Sequence, residues 1–162
     1  MHNRTSLISI VDAKHIGIEK TYIIGIGASA GGLEAISQLI CHLKLGSSCA
    51  YVVLQHLSPT HRSMLVEILG RETALTVQAA EQGIIPKADH IYVIPANTNA
   101  LYRDGRIVLM TAQAEVTPKP SINQFLISLA EEMGESAVGI ILSGTGSDGV
   151  AGLRAIQAAG GF

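Results

Sequence analysis

The chain has 162 residues, the length of a single domain. Hydrophobic residues make up 48% and charged residues 15%, against about 25% charged in an average globular domain, which excludes disorder. The formal net charge is −2, aromatics are 4% and Trp is absent, so neither a basic surface for nucleic acid nor a base-stacking platform is expected.

Residues 1–20 read as a tail or linker and residues 21–162 as the domain. The start lacks the apolar stretch and small-residue cleavage site of a signal peptide, and no run approaches the 18 apolar residues of a membrane helix. Cys41 and Cys49 are too few for a disulfide framework and fit reduced thiols in the cytoplasm.

In chain order, residues 22–26 predict a buried strand running into glycines. Leu33, Ile36, Leu39, Ile40 and Leu43 then fall at helical spacing, with Gly46 as the stop signal. Residues 50–54 form a second all-apolar run. Ser58-Pro59 has the form of a helix start, followed by an apolar face of Met64, Leu65, Ile68 and Leu69 that ends at Gly70. Residues 75–79 and 90–94 predict two more strands. Asp104-Gly105 between residues 101–103 and 106–110 is a hairpin signal. Residues 111–120 read as a loop. Ser121 with Gln124 resembles a capping box, ahead of Ile122, Phe125, Leu126, Leu129 and Met133 at helical spacing. Residues 138–142 predict another buried strand, residues 143–149 a glycine-rich loop, and residues 150–159 a helix. Strands alternating with helices predict a three-layer α/β/α domain, doubly wound around a mostly parallel sheet, with an inserted β-hairpin.

In such domains the site forms where loops leave the carboxyl ends of strands. Three loops qualify. The first contains Gly27-x-Ser29-x-Gly31 between a strand and a helix, the setting of a nucleophile elbow. The same residues fit a dinucleotide fingerprint, Gly25-x-Gly27-x-x-Ala30, but the expected carboxylate at the end of the second strand is replaced by Gln55-His56. A tight structural turn is the third reading. In the second loop, His56 is either a structural histidine or a general base. A metal pair with His61 lacks accompanying carboxylate or cysteine ligands, so no metal and no cofactor is expected. In the third loop, Asp148 at the start of a helix is either its N-cap or the partner that orients a histidine. Together the loops supply Ser29, His56 and Asp148, a candidate catalytic triad recognised by role and not by chain order.

Residues 26–32 (Ile-Gly-Ala-Ser-Ala-Gly-Gly), Gln55-His56 and residues 144–149 (Gly-Thr-Gly-Ser-Asp-Gly) resemble the catalytic domain of the chemotaxis protein-glutamate methylesterases of the CheB type; Asp89 to Pro95 and Pro120 to Asn123 look like further family segments. The resemblance runs from about Thr21 to Phe162. It implies a serine hydrolase that removes methyl groups from glutamyl γ-methyl esters of chemoreceptors and deamidates receptor glutamines. It implies that Ser29 is the nucleophile, His56 the general base and Asp148 its orienting partner, with the Ala30 amide and an amide at Thr145 or Gly146 holding the oxyanion. The implied partners are the cytoplasmic helices of methyl-accepting receptors, with no nucleic acid and no membrane insertion. Ala30 stands where many members have Thr, Thr145 where many have Met, and Lys119 where many have Arg. In these departures the chain looks like copies fused to methyltransferase and histidine kinase modules. Phe162 reads as the first residue of a further strand, so the family domain is expected to continue past it. The alternative function is a catalytically silent interaction domain of a larger signalling protein.

Overall fold

A computed structural model describes residues 20–29, 31–56, 64–111, 120–142 and 147–162. Five strands, β1 (Tyr22–Ala28), β2 (Cys49–Gln55), β3 (Thr76–Ala79), β4 (His90–Val93) and β7 (Val138–Ile141), form one sheet in the order β3-β4-β2-β1-β7. Every pairing in it is parallel, with Ile24 opposite Tyr51 and Val138, and Val52 opposite Tyr92. Strands covered on both faces carry apolar side chains at successive positions and not only at alternate ones. β2 shows this directly: Ala50, Val52, Val53 and Leu54 are all fully buried.

Alternate residues feed two separate cores. Ile26, Ala28, Tyr51 and Val53 pack against α1 (Leu33–Ile40) and α2 (Leu65–Gly70) through Ile36, Ile40, Leu65 and Leu69. On the other face, Ile23, Val52 and Leu54 join Ile122, Phe125, Leu126 and Leu129 of α3 (Ile122–Met133) and Ile156 of α4 (Val150–Ala158). The result is the expected three layers.

The hairpin stands outside the main sheet. β5 (Thr98–Arg103) and β6 (Arg106–Thr111) pair antiparallel, and Asp104 and Gly105 both take positive φ, 50° and 71°. Two left-handed central residues match the right-handed twist of a two-residue hairpin. The hairpin covers α3: Tyr102 and Ile107 join its core, and buried Ser128 receives the Tyr102 amide at 2.8 Å while donating to the Phe125 carbonyl at 2.7 Å.

Several expectations move at their edges. The strands β1 and β2 extend to Ala28 and Gln55, because parallel pairing continues past the apolar runs. α1 stops at Ile40, well before Gly46, and Leu43 packs on the core from the turn that follows. Met64, expected on an apolar helix face, is 60% exposed and precedes α2. The Ser58-Pro59 helix start, the tail at residues 1–19 and the loop at 112–119 lie outside the described residues. Ser121 does cap α3, taking the Gln124 amide at 3.3 Å, but the reciprocal half of the box is absent: the Ser121 amide donates instead to Asn99 Oδ1 at 2.8 Å. Phe162 lies beside β7, its amide bonded to the Ala137 carbonyl at 3.0 Å and its carbonyl receiving the Gly139 amide at 2.7 Å.

The glycines of β1 have a packing explanation. A Cβ on Gly25 would come within 2.6 Å of Leu126, and one on Gly27 within 2.6 Å of Ile122 and 2.8 Å of Ile141. α3 therefore lies directly on the backbone of β1. Gly27→Ala should destabilise the domain by about 1–3 kcal/mol through overpacking. Thermal unfolding of the variant against the parent chain measures this; an unchanged midpoint would mean that α3 does not sit this close.

Tyr102 offers a second check. Burial, reinforced by the charge of Glu132, pushes its phenol above the usual value of 10.0. The protonated phenol is thus favoured by the fold, so its contribution is complete below pH 10 and is lost as pH rises through the raised value. Tyr102→Phe should remove a late phase of phenolate absorbance in an alkaline titration and leave stability at the alkaline end less dependent on pH.

Candidate active site

The chain leaves β1 toward the α1 face and leaves β7 toward α4 on the opposite face. The carboxyl ends of β1 and β7 therefore border the crevice that a reversal of winding direction opens in such sheets. Backbone bonds align the three strand ends there. The Gly27 carbonyl receives the Leu142 amide at 3.0 Å, and the Ala28 carbonyl receives the His56 amide at 3.0 Å.

Ser29 directly follows β1 and is half-buried. Its carbonyl accepts the Gly32 amide at 2.9 Å, and Gly31 takes φ +87°, which closes the turn from strand to helix. His56 directly follows β2. Gln55 before it alternates onto the α1–α2 face and is buried, its Oε1 without a hydrogen-bond partner among the described residues. His56 thus faces the side on which α3 and α4 lie.

There, His56 Nε2 and Asp148 Oδ2 are 2.8 Å apart, with side chains only 13% and 19% exposed. The Asp148 carboxylate has two further donors: the Ile122 amide to Oδ2 and the Asn123 amide to Oδ1, each at 2.9 Å. These are amides of the first turn of α3, which have no partner inside their own helix. The positive end of the helix dipole faces the carboxylate as well.

The reading of Asp148 as the cap of its own helix is therefore corrected. The N-cap of α4 is Gly149, at φ +106° and without a side-chain cap bond, while Asp148 caps α3. The cap of α4 comes from Asn123, whose Oδ1 accepts the Gly149 and Gly152 amides, each at 2.9 Å. Sequence reading did not assign Asn123 a role. Its only signal was membership of the segment after Pro120, since a cap 26 positions away leaves no local pattern.

The structure thus brings His56 and Asp148 into contact and stands Ser29 at the head of the neighbouring strand. Ala30, Thr145 and Gly146, the expected backbone oxyanion donors, lie outside the described residues, as does His61. Among the described residues, no group of three or more His, Cys, Asp or Glu side chains gathers to hold a metal ion. No helix among them is long and apolar enough to cross a membrane.

Fold and site together define a doubly wound α/β domain whose polar residues converge at the carboxyl ends of its central strands. The chain belongs to the CheB methylesterase family, whose model matches residues 24–162. It is 37% identical over 140 residues to protein-glutamate methylesterase/protein-glutamine glutaminase 3 of Paramagnetospirillum magneticum, covering 86% of this chain and 39% of that protein. The protein-glutamate methylesterase/protein-glutamine glutaminase of Escherichia coli K12 is 35% identical over 142 residues, with 85% and 40% covered. The chain spans about two-fifths of the length of these relatives. The crystal structure of the Thermotoga maritima CheB methylesterase catalytic domain superposes with a TM-score of 0.77 at 26% identity, covering 88% of this chain and 78% of that one.

Asp148→Ala removes the partner of two α3 amides and should cost about 0.5–2 kcal/mol of stability, the range for a lost cap. Denaturant unfolding of the variant against the parent chain checks this, and an unchanged stability would contradict it.

Proposed function

We propose that this domain hydrolyses γ-methyl esters of glutamate on the cytoplasmic helices of chemoreceptors, and that it deamidates receptor glutamines at the same site. The observation that carries the reading is the His56–Asp148 pair, anchored on the first turn of α3 beside the serine-bearing turn after β1. The names of the relatives supply the substrate class.

In this reading Ser29 Oγ is the nucleophile. His56 uses Nε2 to hold Asp148, so Nδ1 is the nitrogen that takes the serine proton. Oγ attacks the ester carbonyl and forms a tetrahedral oxyanion, held by the backbone amide of Ala30 and by that of Thr145 or Gly146. The imidazolium returns its proton to the departing methoxide oxygen, releasing methanol and leaving a glutamyl ester on Ser29. Water, deprotonated by the same imidazole, then cleaves that ester to a free carboxylate and restores the serine. With a glutamine substrate the leaving group is ammonia and the steps are otherwise the same. Asp148 orients the imidazole and balances its transient charge. The working compartment is the cytoplasm, and methyltransferase and histidine kinase modules are the expected functional neighbours.

Methanol release from methylated receptor cytoplasmic fragments tests the proposal. The chain should release methanol, and Ser29→Ala should lower kcat by about 10⁴ or more, the scale seen when a triad nucleophile is removed. Equal turnover in both would eliminate Ser29 as the nucleophile. No release from the folded chain would overturn the esterase reading.

A further inference from the structure

Asn123 is the second residue of α3, yet its side chain serves the other helix. Its Oδ1 accepts the Gly149 and Gly152 amides of α4, while its own backbone N–H donates to Asp148 Oδ1, all at 2.9 Å. Asp148 and Asn123 thus cap each other's helices in a closed crossed pair. The remaining carboxylate oxygen, Oδ2, is the one that meets His56.

The crossed pair bears on where that carboxylate points. Asp148 sits immediately before Gly149, which takes φ +106°. A left-handed glycine has no Cβ to restrict it, so the backbone on which Asp148 stands is held by its hydrogen bonds more than by local sterics. Two of the bonds that close this turn end on one atom, Asn123 Oδ1. A Cβ at Gly149 would lie 2.6 Å from Ile141, so the turn also presses on β7.

We propose that Asn123 is a positioning residue for the hydrolytic reaction. It fixes the turn at Asp148, supplies one N–H to the carboxylate, and so sets the direction in which Oδ2 is presented to His56. The proposal rests on the roles assigned above to Ser29, His56 and Asp148. The neutral amide also matters. Among the described residues, β1 beyond Tyr22, β7 and the first turns of α3 and α4 carry no titratable side chain, so His56 and Asp148 are the ionisable groups facing each other there. An aspartate at position 123 would keep the acceptor but add a second negative charge beside them.

Asn123→Ala and Asn123→Asp in the full chain form the test. Three readouts are taken: kcat and KM for methanol release from methylated receptor fragments, the pH dependence of kcat, and the His56 imidazole proton signals by NMR. Asn123→Ala should lower kcat about ten- to hundredfold, a part of the 10²–10⁴ that a well-placed base contributes, with KM changed less than about twofold. Asn123→Asp should recover most of that kcat at high pH, with the acid limb of the profile displaced upward by about half a pH unit or more, because the added carboxylate favours charged His56.

A folded Asn123→Ala with parental kcat and pH profile overturns the proposal. If that variant does not fold, Asn123→Asp decides, and an unmoved acid limb overturns it. If the parent chain itself releases no methanol, the esterase reading fails, and the NMR readout still decides the positioning role. A His56 N–H signal bonded to Asp148 that broadens or disappears in Asn123→Ala supports that role, and an unchanged signal overturns it.

Discussion

The carboxylate of Asp148 is the point on which the packing of α3 and, in the proposed mechanism, the chemistry both depend. It takes one N–H from His56 and two from the first turn of α3. Hydrogen bonds to an ionised acceptor are shorter and stronger than neutral ones, and amides at a helix start have no intrahelical alternative. The energetic interest of α3 in its cap and, in the proposed mechanism, the requirement of His56 for a fixed partner are therefore met by one group. In many sites an orienting carboxylate needs its own supporting shell. Here that shell is a helix terminus the fold must satisfy anyway.

The position of α3 follows from the glycines beneath it. Gly25 and Gly27 let the helix lie on bare backbone, with Leu126 and Ile122 occupying the space that side chains would take. A larger residue at either position would lift the helix and carry its N-terminal amides away from Asp148. Buried cores are close-packed and transmit displacement instead of absorbing it. Two glycines on the strand that bears Ser29 thus influence the geometry at His56, without touching it.

The alternation of elements and the hairpin were legible from local pattern alone, because parallel strands buried on both faces read as short apolar runs and Asp104-Gly105 has the chemistry of a two-residue turn. The cap at Ser121 was legible for the same reason, since the residue and the amide it serves are three positions apart. What local pattern could not reveal is pairing across the chain. Asp148 looks like a cap of the helix it precedes, and only folding shows that it caps another. Gly25 and Gly27 fit a dinucleotide fingerprint, and Gly27 also fits a nucleophile elbow or a tight structural turn. The structure explains both by helix packing, which no spacing rule encodes. Met64 shows the converse failure: its helical spacing to Ile68 implied a buried face, but α2 begins only at Leu65 and leaves it in solvent.

In the proposed triad, the chain order serine, histidine, aspartate follows from topology. β2, β1 and β7 are successive neighbours in the sheet. β1 comes first in sequence and lies in the middle, so the residue it delivers has a flanking strand on either side. β2 delivers His56 on one side, tied to Ala28 by a backbone bond, and the loop after β7 delivers Asp148 from the other. Asp148 and His56 therefore meet from opposite sides of β1, the strand that Ser29 directly follows. The reversal of winding at β1 does more than open a crevice. It leaves Ser29 on the strand end that lies between those followed by His56 and Asp148.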